Sequence, residues 1–105
     1  MEELKMTERE EKIVKILKRV LYDYNIVGGC TVGGYGYEGP CLNKGNNEWI
    51  ISTTVRNHVD SIDAKFTKMI DACLFLLDQC FSSFKEAAEA KEYFIDLLKK
   101  NVPDF

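Results

Sequence analysis

Three groups of side chains in this chain have types that could do chemistry. The first is Gly34-Tyr35-Gly36-Tyr37-Glu38-Gly39, a match to G-x-G-x-x-G. Such a loop cradles phosphate when a strand precedes it and a helix follows at once, so that the first helical amides face the anion. Here Pro40, Cys41 and a strand-like run follow, and no lysine stands at the P-loop position. The pattern reads as a glycine-kinked strand and turn, where freedom in φ is what the glycines supply. The second group is His58, the sole histidine, with Cys30, Cys41, Cys73 and Cys80. Structural zinc sites bring their ligands in close pairs, and these cysteines are widely spaced. Cys30 or Cys41 with His58 as base would make a nucleophile pair. A reactive thiol, however, needs an exposed electropositive setting, which nothing nearby in the sequence provides. The expectation is no metal, no cofactor and no catalytic residue.

The third group could do recognition. Alternation places Tyr35, Tyr37, Ser52, Thr54 and Arg56 together on one open face of a sheet, and tyrosine and arginine are the side chains that anchor interfaces. Glu38 and Asp60 add negative charge beside them, and Phe75 adds a ring in the polar stripe of a helix. These eight residues are the candidate partner-binding set. Either the C-terminal Val102–Phe105 or the first helix covers Phe75, or it belongs to a patch for self-association or for a partner.

The element around which the rest must assemble is Met69–Phe81, in which ten of thirteen residues are apolar. Stepped at the helical period, Met69, Ile70, Cys73, Leu74, Leu76, Leu77, Cys80 and Phe81 share one wide arc. The spacing predicts a helix from Thr67 to Phe81, preceded by a loop or short turn from Asn57 to Phe66; a start at Asp60 is the alternative. Upstream, Thr7-Glu8-Arg9-Glu10 is a capping box opening a helix that ends near Tyr24 or Asn25. Its apolar face is Ile13, Ile16, Leu17, Val20, Leu21 and Tyr24. Downstream, Ser83-Phe84-Lys85-Glu86 opens a last helix with Phe84, Ala87, Ala90, Phe94, Leu97 and Leu98 on its apolar face, stopped by Asn101 and Pro103. All seven glycines lie between positions 28 and 45. That stretch predicts a strand over Cys30–Tyr37, a bend at Gly39-Pro40, a strand over Cys41–Asn43 and a turn through Asn47. Glu48–Arg56 is the clearest strand, with Trp49, Ile51, Thr53 and Val55 on one face, of which Trp49 and Ile51 pack on the helices.

The expected fold is α+β: an N-terminal helix, a three-stranded antiparallel meander and two C-terminal helices packed on one sheet face. Residues 1–105 form a single domain, with residues 1–6 frayed. A net charge of −3 and a pI near 5.2 argue against a general nucleic-acid binder and leave room for a basic protein partner. No run approaches the ~18 apolar residues that span a membrane. Without an apolar leader near Met1, the expectation is a cytoplasmic protein with four reduced thiols.

Gly34, Tyr35, Cys41, Trp49, Ile50, Ile51, Phe66, Ala72, Cys73, Leu74, Leu76 and Leu77, across about half of the chain, carry a resemblance. The glycine-containing strand, short hairpin, W-I-I strand and A-C-L-x-L-L helix resemble small immunity proteins of bacterial polymorphic-toxin and contact-dependent inhibition systems. The resemblance implies a non-catalytic inhibitor that binds a cognate toxin domain, such as a basic nuclease. Two other readings fit the same size and acidity: a phage-encoded inhibitor of a bacterial defence enzyme, and a thiol-dependent enzyme using Cys30 or Cys41. A homodimer is also possible on this sequence.

Overall fold

The structure, a computed structural model, describes residues 5–26 and 30–105. Expectations about residues 1–4 and about Gly28 and Gly29 lie outside those described. Helix α1 runs Glu8–Asp23. The capping box forms as expected: Thr7 Oγ1 accepts from the Glu10 amide at 3.1 Å, and Glu10 Oε1 accepts from the Thr7 amide at 2.9 Å. Strands β1 (Thr31–Val32), β2 (Gly39–Lys44), β3 (Trp49–Val55) and β4 (His58–Phe66) follow, then α2 (Met69–Cys80) and α3 (Phe84–Asn101).

The sheet has four strands in the order β1-β2-β3-β4, and β1 runs parallel to β2. Both points correct the three-stranded antiparallel meander. Parallel neighbours ordinarily need a dozen or more connecting residues. Here Gly33–Glu38 suffices, because a two-residue strand leaves only ~10 Å of chain to retrace at ~3.3 Å per residue. The expected first strand over Cys30–Tyr37 is thus reduced to Thr31–Val32. The fourth strand is the stretch read as a loop. Val55 and His58 pair across Arg56 and Asn57, whose φ values of 52° and 69° are those of a tight primed hairpin turn.

Alternation fixes the helix side of the sheet. Leu42, Trp49 and Ile51 are buried with α2 residues Ala72, Cys73, Leu76 and Leu77 in one core. Helix α2 meets β2, β3 and β4, while α3 packs chiefly on α1 and α2. Tyr93 Oη donates to Asp23 Oδ2 at 2.7 Å and Arg9 Nε donates to Asp104 Oδ1 at 3.0 Å, so α3 lies antiparallel along α1. Lys44 Nζ ties the end of β2 to α1 through Glu10 Oε1 at 2.7 Å and the Lys5 carbonyl at 3.0 Å. One expected core residue is out of place: Phe84 is 97% exposed. It is the first residue of α3, ahead of the turn where that helix meets its neighbours.

Cys30 and Cys80 form a disulfide with Cα atoms 6.4 Å apart, and Cys41 and Cys73 are free and buried. This corrects the expectation of four reduced thiols. The bond joins the residue before β1 to the last residue of α2.

Candidate protein-binding surface

The sheet face turned away from the helices begins with β2 and β3. Cys41 pairs with Ser52 and Gly39 with Thr54, so these side chains share that second face. Ser52 and Thr54 were expected to be open there. They lie on the expected face but are buried, at 2% and 1% exposure, and Cys41 is 1% exposed. The Gly33–Glu38 loop accounts for it. Asn43, two residues on from Cys41 and on the same face, grips the loop with both ends of its amide: the Gly34 amide donates to Oδ1 at 2.6 Å, and Nδ2 donates to the Gly34 carbonyl at 2.9 Å. At the far end, the Asn57 amide donates to the Tyr37 carbonyl at 2.9 Å.

The glycine pattern now has a structural cause. Gly34 sits at φ 113°, a conformation that L side chains rarely adopt, and a Cβ on Gly36 would collide with Thr31 Oγ1. The loop runs tight against the sheet and leads into β2, not a helix, so no row of helical amides is presented to a phosphate.

Beneath the loop, Thr54 Oγ1 donates to the Gly39 carbonyl at 3.3 Å and lies 3.8 Å from Cys41 Sγ. Ser52 Oγ has no partner among the described residues. Beyond the loop the face opens. Val59 pairs with Thr54 and Ile62 with Ser52, which places both on the second face. They are 48% and 58% exposed, and Tyr35 and Tyr37 on the loop are 57% and 61% exposed. Glu38, Arg56 and Asp60 are exposed around them. Of the eight candidates, Tyr37, Glu38, Arg56 and Asp60 gather at the hairpin end, with Tyr35 further along the loop. Ser52 and Thr54 lie underneath. Phe75 is elsewhere: half-buried on α2, its ring centroid 5.4 Å from that of Phe66 on β4. The ring packed on it, Phe66, comes from the stretch expected to be a loop.

Val59 and Ile62 were missed. The signal was there but offset: β4 skips Asp60 and Asp63 in its pairing with β3, so its apolar residues fall at 59, 62, 64 and 66 and break the two-residue period. Tyr22, 74% exposed at the end of α1, is a second isolated aromatic.

The thiols have settings of their own. Cys30 is bonded to Cys80, Cys41 is enclosed with Thr54, and burial pushes the Cys73 thiol up to about 12. His58 is exposed at the start of β4. Among the described residues no group of three or more His, Cys, Asp or Glu side chains is placed to hold a metal ion, and no helix is long and apolar enough to cross a membrane. Comparison with protein families, curated proteins and solved structures finds no match to this chain.

Proposed function

We propose that this chain is a non-catalytic inhibitor that binds and neutralises a cognate bacterial toxin domain, a basic nuclease being the partner class its charge suits. The observation that carries the reading is the open part of the second sheet face. Tyr35 and Tyr37 stand out from a loop pinned at both ends, Val59 and Ile62 lie exposed on the strand beyond, and Glu38 and Asp60 supply negative charge. Aromatic anchors on a rigid support with a charged rim are the anatomy of a protein interface. The sheet carries this surface without any contribution from the cysteines or His58 as reactants, which favours binding over catalysis. Self-association through Phe75 has less to work with, since that ring is already half-buried against Phe66.

The compartment follows the redox state of Cys30 and Cys80. A cytoplasmic inhibitor would carry both as thiols, whereas the disulfide favours an oxidising compartment. Counting free thiols on protein taken directly from cells decides between them.

The function is tested by binding to the product of the adjacent gene. The expected result is a complex whose association rate falls steeply with salt, as electrostatic steering requires. Tyr37→Ala should weaken it by at least ~1–2 kcal/mol while leaving the melting temperature unchanged. No binding to that product, or binding indifferent to Tyr35, Tyr37, Val59 and Ile62 substitutions, would overturn the reading.

A further inference from the structure

The tyrosine loop is held at three places, and they are unequal. Its end is fixed where Asn57 donates to Tyr37, and its middle where Asn43 grips Gly34. Its beginning hangs on β1, which is two residues long, at the sheet edge, and paired in parallel. Parallel pairing is slightly the weaker kind per residue, and strands usually run to ~5–6 residues. Beyond the pairing, one ladder bond continues it, from the Gly33 amide to the Leu42 carbonyl at 2.9 Å. What anchors this short strand from behind is the disulfide. Cys30 immediately precedes Thr31 and is bonded to the last residue of α2, the helix most deeply set in the core.

We infer that the Cys30–Cys80 disulfide is a redox latch on the tyrosine loop: oxidised, it holds β1 on β2 and Tyr35 in place; reduced, it lets β1 and the first half of the loop open. The inference rests on the reading of that loop as the partner-binding surface and supplies its regulation. A dithiol is the reductant the chemistry requires. One of its thiolates attacks a cystine sulfur, the Cys30–Cys80 bond breaks and a mixed disulfide forms. The second thiol then displaces the protein sulfur and the dithiol leaves as a disulfide. Two electrons and two protons pass to Cys30 and Cys80. Both residues are only half-buried, so a reductant can approach. The two other thiols stay out of the exchange: Cys41 and Cys73 are 1% and 0% exposed, beyond the reach of a reductant.

Opening should be graded along the loop. Gly33 loses its tie first, Gly34 next, and Tyr37 last, because the β3–β4 turn holds it independently. Such an opening weakens binding by removing the pre-organisation of Tyr35.

Hydrogen exchange on the full chain tests this, comparing the oxidised protein, the protein in dithiothreitol, and the Cys30→Ser/Cys80→Ser variant. The readout is the exchange rate of the Gly33 amide relative to Ile51 in the central strand. On reduction, and in the variant, that ratio is expected to rise at least ~tenfold, the mark of a local opening as distinct from a global one, with Asn57 changing less than Gly33. An unchanged ratio overturns the latch, whether both rates stay the same or both rise together as they would for a general staple. A second arm measures the adjacent gene product against both forms. Tighter binding to the oxidised form supports regulation; equal binding to both, with Gly33 opened, overturns it. Binding to neither form removes the toxin-binding reading, while the exchange ratio still decides the latch.

Discussion

The two faces of the sheet are buried by opposite means. On the helix side, Leu42, Trp49 and Ile51 meet Cys73, Leu76 and Leu77, large apolar groups interlocked across a gap. On the other side, Cys41, Ser52 and Thr54 are as deeply enclosed, yet they are small, two of them are polar, and the chain that crosses them is a glycine loop. The first face excludes water by side-chain volume. The second is closed by a loop of backbone, which at Gly36 comes so near Thr31 that a side chain there would collide. A loop covers less than a helix does, so the second face is closed at β2 and β3 and open at β4.

The sharpest test of the contrast is in the helix-side core. Leu77→Ala should lower stability by about 2–5 kcal/mol, since a fully buried side chain leaves a cavity that relaxes only in part; denaturant melts measure it. Next in size is the cross-link. Its removal in Cys30→Ser/Cys80→Ser should cost roughly 2–4 kcal/mol of global stability, for it closes a long loop of the unfolded chain, with the local opening at Gly33 added on top of that shared loss. Coincident melts with and without reductant would refute that. Phe75→Glu should destabilise by ~1–3 kcal/mol, because a carboxylate placed against Phe66 loses hydration without gaining a partner. An unchanged melt with weakened partner binding would move Phe75 to the binding surface instead.

On the second face the expected effect is near zero. Ser52→Ala removes a hydroxyl with no partner among the described residues, so stability should stay within ~1 kcal/mol of wild type or rise. A larger loss would mean that the hydroxyl is satisfied after all. A comparably small effect is expected at Glu10. Burial opposes its charge, but the hydrogen bond and charge of Lys44, with the bonds to Thr7, hold the carboxyl below its ordinary value. A carboxyl lowered on folding adds stability above its unfolded pKa and loses it as pH falls through the lowered folded value. Glu10→Gln should therefore cost under ~1 kcal/mol near neutrality, with the difference from wild type closing as the solution is acidified through that range.

How far the sequence revealed all this differs between the same two faces. The helices, the capping box at Thr7, the β3 strand and the inward side of Trp49 and Ile51 could be read directly, because their periods are regular and their cores are apolar. The second face could be placed but not weighed: alternation puts Ser52 and Thr54 on it, and nothing in their own types says that a loop will lie across them. β4 was hidden by its own irregularity. Its turn is Arg-Asn where Asn-Gly is the familiar signal, and Asp60 and Asp63 shift the phase of its apolar residues. The Cys30–Cys80 bond is a matter of three-dimensional approach between residues fifty positions apart, which spacing cannot reveal.

Those two aspartates have a consequence for how the molecules behave at high concentration. β4 ends the sheet with nine residues of strand and carries exposed Val59 and Ile62, the makings of a template on which identical chains could stack without limit. A neighbour that tried to add a strand would meet a ladder out of step at two places, Asp60 and Asp63. Irregular edges bearing charge are how sheets are kept from polymerising. The two interruptions that leave Val59 and Ile62 exposed on this strand thus also make its free edge a poor template for a second copy.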